Sequence, residues 1–240
     1  MWVATTKNAR RSPLSSTVAL KISMAVSGLI MVGYLLLHMY GNLKIFAGQE
    51  AFDEYAHHLR VFGEPMLPEN GLLWIVRIVL LLSIVVHFHA AVRLWARNKR
   101  ASGAQGGKRY HTNKNRKGIQ RSYASFTLRW GGVIILLFVV YHLLHLTANI
   151  IAPGGRSDSP FERVVNGFEI WWVVAIYTVS MLAVGLHLWH GMWSAFATLG
   201  ANHSRTRVGS RWTKLAWVVA GAITIGFLLP PWAVFLGLAG

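Results

Sequence analysis

Cysteine is missing from all 240 residues. Disulfides are therefore excluded, and so is any iron–sulfur cluster ligated by this chain's own thiolates. Charge is scarce as well. Asp, Glu, Lys and Arg make up 13% of the chain, about half of the roughly 25% usual in soluble proteins. Acid is the scarcest of all, with eight Asp and Glu against 24 Lys and Arg. Apolar residues fill the space: 54% of the chain is hydrophobic. Such a composition belongs in a membrane, and the length accommodates five spans. Met1–Thr17 is polar and basic, without the apolar core and small-residue cleavage pattern of a secretory signal. The first apolar run is thus expected to stay in place as a span.

The formal net charge of +16 follows from topology, and no nucleic-acid partner is expected. All eight acids (Glu50, Asp53, Glu54, Glu64, Glu69, Asp158, Glu162 and Glu169) fall in two segments between spans, Glu169 at the border of the fourth span. Ten Lys and Arg fill Arg97–Arg129, and four more lie between Arg205 and Lys214. By the positive-inside rule these basic segments face the cytoplasm, together with Lys7, Arg10 and Arg11. The acidic segments face outward. Basic cytoplasmic loops also suit anionic lipid headgroups or a soluble partner.

The fold expected is an all-α membrane protein, one transmembrane unit over 1–240, with four of its five helices forming a bundle. The spans are read at about 18–40, 71–95, 130–152, 169–199 and 215–236. Each meets the roughly 20 residues that a hydrocarbon core demands. Between the first two, Ala51–Phe62 is expected to form an amphipathic surface helix, ended by Pro65 and Pro68. The segment 96–129 reads as a flexible cytoplasmic loop, and 153–168 as a short external one. Pro230 and Pro231 are expected to distort the outer end of the fifth span. Trp74, Trp95, Trp130, Trp171, Trp172, Trp217 and Trp232 form an interfacial aromatic belt.

Four histidines lie deep in four different spans: His38, His87, His142 and His187. Ionisable side chains are costly inside a membrane, and each is a candidate functional residue. At about 1.5 Å per residue, His87 and His187 lie roughly 24 and 27 Å from the outer ends of their spans. His38 and His142 lie roughly 30 and 18 Å from the cytoplasmic ends of theirs. Depth therefore pairs His87 with His187 near the cytoplasm, and His38 with His142 in the outer half. A pair of imidazoles supplies both axial ligands of a haem iron. The four helices are thus expected to form a haem-binding bundle, and two such haems at two levels would carry electrons across the membrane without binding small ligands.

Competitors share these helices. His145 and His190 lie three residues beyond His142 and His187, on the same faces, and spacing does not choose within either pair. His89 points away from His87. His57, His58, His111 and His203 read as solvated. Gly28, Gly33, Gly131, Gly132 and Gly185 suit either a flat macrocycle or close helix contact. Arg77 is read either as a haem-propionate partner or as snorkelling to headgroups, and Arg93 as snorkelling.

Several segments carry a family resemblance. They are His38-Met39-Tyr40-Gly41-Asn42-Leu43-Lys44-Ile45-Phe46, Ile75-Val76-Arg77 leading to His87, Tyr141-His142-Leu143-Leu144-His145, and Leu186-His187-Leu188-Trp189-His190-Gly191-Met192-Trp193. From about Leu20 onward the chain resembles the single-chain, five-helix cytochrome b anchor of succinate dehydrogenases and fumarate reductases of Gram-positive bacteria, especially actinobacteria. The resemblance implies two haem b groups. His38 and His142 would ligate the distal one, and His87 and His187 the proximal one, in preference to His145 and His190. It implies a flavoprotein subunit and an iron–sulfur subunit on the cytoplasmic side, menaquinone as electron acceptor, and a multi-pass place in the bacterial cell membrane. It leaves room for a small extra membrane subunit. No succinate site or other catalytic residue is assigned to this chain. One departure is that Gly185 stands where some relatives carry a glutamate linked to proton movement.

Other readings are a haem-free anchor, a histidine pair holding one iron of a Rieske-type cluster with cysteines from a partner, and the cytochrome b subunit of a formate dehydrogenase or hydrogenase. A transporter fits less well, since buried acids and matched broken helices are not evident.

Overall fold

The computed structural model describes residues 16–101, 119–201 and 210–240. Lys7, Arg10, Arg11, His111, His203 and residues 102–118 of the expected flexible loop lie outside them, while the two ends of that loop, 96–101 and 119–129, are helical rather than loop. Seven α-helices are described, with no strand among the described residues: α1 Thr17–Leu43, α2 Gln49–Val61, α3 Gly71–Ala101, α4 Ile119–His142, α5 Pro160–Phe168, α6 Trp171–Thr198 and α7 Arg211–Phe235. α1, α3, α4, α6 and α7 are long and apolar enough to cross a membrane. The protein is an all-helical, multi-pass membrane protein. Helices are what lipid requires, because no water is present there to satisfy stray backbone N–H and C=O groups.

Local sequence sets several helix ends. Ser16 caps α1 by accepting the Ala19 N–H at 3.0 Å, and Ser210 caps α7 by accepting that of Trp212 at 3.3 Å. The third span ends earlier than expected: α4 passes into a π turn over Leu143–Thr147. The segment expected as a plain external loop contains α5. Ser159 caps it by accepting the Glu162 N–H, and Pro160 occupies the first turn. Pro230 and Pro231 sit inside α7, which runs on to Phe235. They fall in its closing turns, where losing two N–H donors does not end the helix.

α6 is the central helix, packed along α7, α1 and α4. α1 also packs along α3, whereas α3 and α4 scarcely touch among the described residues. Of the described side chains of α3, only Ser83 and Ala90 are buried. One apolar core joins Val32, Met181, Val184, Leu188, Ala220 and Ile223 among α1, α6 and α7. A second lies toward the acidic segments and joins Ile45, Phe161, Val164, Phe168, Val174 and Tyr177. Over that end, α2 packs on α5. The Asp53 carboxylate accepts from Ser159 Oγ at 2.6 Å and from the Phe161 N–H at 3.0 Å. This joint between the two amphipathic helices seats Phe168 against Tyr177.

Candidate functional site

The bundle brings the four span histidines together in two interhelical pairs. His38 of α1 meets His142 of α4 with ring centres 5.8 Å apart and planes at 79°. His87 of α3 meets His187 of α6 at 6.2 Å and 58°. These are the pairs expected from depth. Three helices give the spacing between the levels. Gly28, beside the His87 ring, precedes His38 by ten residues. Gly132, beside His187, precedes His142 by ten, and Tyr177, bonded to His142, precedes His187 by ten. Each offset corresponds to about 15 Å of helix.

One cavity of about 2210 Å³ is lined by all four of these histidines, more than twice the roughly 1,000 Å³ at the upper end for a single small-molecule pocket. Both α3 and α4 line it, so it separates the two helices that scarcely touch. Apolar side chains, from Leu, Val and Phe to Met and Ala, supply most of the wall.

The hydrogen bonds of the rings fix their chemistry. Nδ1 of His87 lies 3.0 Å from the Met24 carbonyl. A carbonyl only accepts, so Nδ1 carries the proton and Nε2 keeps its lone pair, the form that binds a metal. Ser27 Oγ, whose own proton goes to the Ser23 carbonyl, is a second and longer acceptor at 3.4 Å. His142 meets the Tyr177 hydroxyl through Nδ1 at 3.2 Å. Nδ1 of His187 is buried without a hydrogen-bond partner, although the Leu128 carbonyl lies near the ring. Tyr34 stacks on His38 at 5.3 Å from the preceding turn.

The neighbouring histidines are used otherwise. None of His89, His145 and His190 lines the cavity. His190 bonds through Nδ1 to the Leu186 carbonyl of its own helix at 3.0 Å. His145 is 2% exposed, bonded to Tyr177 at 3.0 Å and packed over Gly167. His89, His57 and His58 are exposed. Arg77 lines the cavity, with its guanidinium 5.0 Å from the Trp74 ring centre, while Arg93 is exposed.

The glycines divide into the two roles expected of them. A β-carbon at Gly28 would lie 3.3 Å from Cε1 of His87, and one at Gly132 3.7 Å from Cε1 of His187. Gly28 makes room for its ring, whereas a side chain at Gly132 would meet His187 only in ordinary contact. Gly185 instead lets α6 close against Thr224 of α7, and Gly131 faces the Ala183 carbonyl of α6. A glutamate at 185 would collide with α7.

The residues fit haem. A metal held by both imidazoles, with bonds of about 2.0–2.1 Å and ring corners about 1.15 Å from the centre for bonds near 1.35 Å, would leave the ring centres up to about 6.4 Å apart. The 6.2 Å pair is about 0.2 Å from that spacing and the 5.8 Å pair about 0.6 Å. Among the described residues no three His, Asp or Glu gather as a metal-binding group. Two imidazoles fall short of the four ligands of a closed site for a bare ion, but are the full axial complement for an iron whose macrocycle supplies the rest. Tyr177 was not singled out from the sequence. A lone tyrosine in an apolar run gives no signal until the fold places it against His142.

Comparison with protein-family models, curated proteins and solved structures finds no match.

Proposed function

We propose that this chain is the membrane anchor and electron-transfer subunit of a bacterial succinate:quinone oxidoreductase, holding two haem b groups. The observation that carries the reading is the meeting of His38 with His142 and of His87 with His187 across helices on one cavity. Held by these two histidine pairs, haem would supply one-electron chemistry. The chain's residues do the rest. Met24 and Ser27 hold the His87 tautomer, Gly28 leaves space for its ring, and the apolar wall excludes water. With no acid at position 185, this chain has no carboxylate there to move a proton.

The choice of complex rests on the sequence resemblance. It brings a flavoprotein and an iron–sulfur subunit at the basic side, menaquinone as acceptor, and the bacterial plasma membrane as location. Affinity purification of the tagged chain from its native membrane tests this. A covalent-flavin subunit and an iron–sulfur subunit should copurify, and succinate should reduce a menaquinone analogue. Copurification with a formate- or hydrogen-oxidising subunit would replace the assignment.

A further inference from the structure

Tyr177 is buried, 5% exposed, and its hydroxyl stands between Nδ1 of His142 at 3.2 Å and Nδ1 of His145 at 3.0 Å. A phenol has one proton, so it donates to one ring and accepts from the other. We infer that Tyr177, backed by His145, is a positioning residue that sets how strongly His142 donates to the group bound at the acidic end, an inference that rests on the haem reading.

The direction of the relay follows from ligation. If Nε2 of His142 is to bind iron, its proton must sit on Nδ1. Nδ1–H then donates to the Tyr177 oxygen, and the Tyr177 O–H donates onward to Nδ1 of His145. The His145 proton lies on Nε2, at the side packed over Gly167, where an added β-carbon would come within 2.6 Å. The opposite relay would put the proton on Nε2 of His142 and block ligation. A ligand histidine that donates its far N–H to an acceptor becomes more basic and is held in orientation. The second bond, from Tyr177 to His145, polarises the first. Both effects favour the oxidised metal and lower its potential.

The two ends differ in this respect. His87 is held chiefly by a backbone carbonyl that no substitution removes, and the polar group near the His187 ring is again backbone, at Leu128. At the acidic end the acceptor is a side chain on α6, backed by a histidine in the π turn after α4. The Tyr177 ring packs against Phe138 at 4.9 Å and Phe168 at 4.8 Å, so Tyr177→Phe removes the hydroxyl and keeps the packing.

The test is an optical redox titration of the purified complex, with the acidic-end centre identified by its loss in His38→Ala. Tyr177→Phe should raise the potential of that centre by about tenfold in its redox equilibrium, about 59 mV for one electron, and leave the other centre unchanged. His145→Leu should raise it less. The double variant should match Tyr177→Phe alone, because His145 acts only through the hydroxyl. An unchanged acidic-end potential in both single variants, or equal shifts at both centres, overturns the inference. Should Tyr177→Phe lose the centre, His145→Leu decides by the same criterion. A wild-type complex without any b-type spectrum would instead overturn the haem reading, and this inference with it.

Discussion

The imidazole of His87 occupies the space that a side chain on Gly28 would take: a β-carbon there would lie 3.3 Å from Cε1 of the ring. α1 thus holds this histidine twice, by absent bulk at Gly28 and by the Met24 carbonyl one turn earlier. Gly28→Val should push the ring off that carbonyl. Overpacking costs about 1–3 kcal/mol, and the basic-end haem should be lost or weakened while the acidic-end one remains. Gly132→Ala makes only ordinary contact, 3.7 Å from His187, and should keep both. Haem absorbance per protein, with the centres resolved by potential, distinguishes the two variants.

The histidines adjacent to the paired ones provide a sharp control. His190 is satisfied by its own helix and His89 is exposed, and neither lines the cavity. His190→Leu and His89→Ala should each retain two b-type centres with unchanged low-spin spectra. Loss of a centre in either variant would move the ligand assignment to that residue.

Asp53 fastens α2 to the start of α5 through Ser159 Oγ and the Phe161 N–H. Hydrogen bonds to a charged acceptor contribute about 1.5–3 kcal/mol each when well shielded, and these are only part-buried. Asp53→Ala should therefore cost about 1–3 kcal/mol, read as a lower midpoint of thermal unfolding in detergent. The basic-end haem, far from this joint, should keep its potential.

α3 rests on α1 and α2 and scarcely touches α4, and its histidine reaches across to α6. A group bound between His87 and His187 would tie α3 to the rest of the bundle. Binding at 100 times Kd stabilises the bound state by about 2.7 kcal/mol. Haem depletion should accordingly lower the unfolding midpoint and speed amide hydrogen exchange in α3 before α6 or α7. Equal acceleration in all five spans would argue against a bridging role.

The spans were legible because lipid imposes one rule on all of them: an uncharged apolar run of sufficient length must be a helix. The pairing by depth was legible too, since helix rise converts residue number into height. Sequence and structure part where local chemistry competes with hydropathy. Hydropathy shows only a loop at α5, although Ser159, Pro160 and Glu162 spell out a helix start. The π turn at 143–147 has no pattern in hydropathy, so the apolar run of the third span extends five residues beyond the helix. Gly28 against His87, Gly185 against Thr224, and Tyr177 between two imidazoles depend on which helix faces which. Periodicity within one helix does not carry that information.

The central claim is that each histidine pair holds one haem. Counting b-type centres by redox titration of the purified wild type, His38→Ala and His87→Ala tests it most directly. The account predicts two centres in the wild type and one in each variant, with the surviving centre different in the two. Two centres persisting in both variants, or none in the wild type, would contradict it.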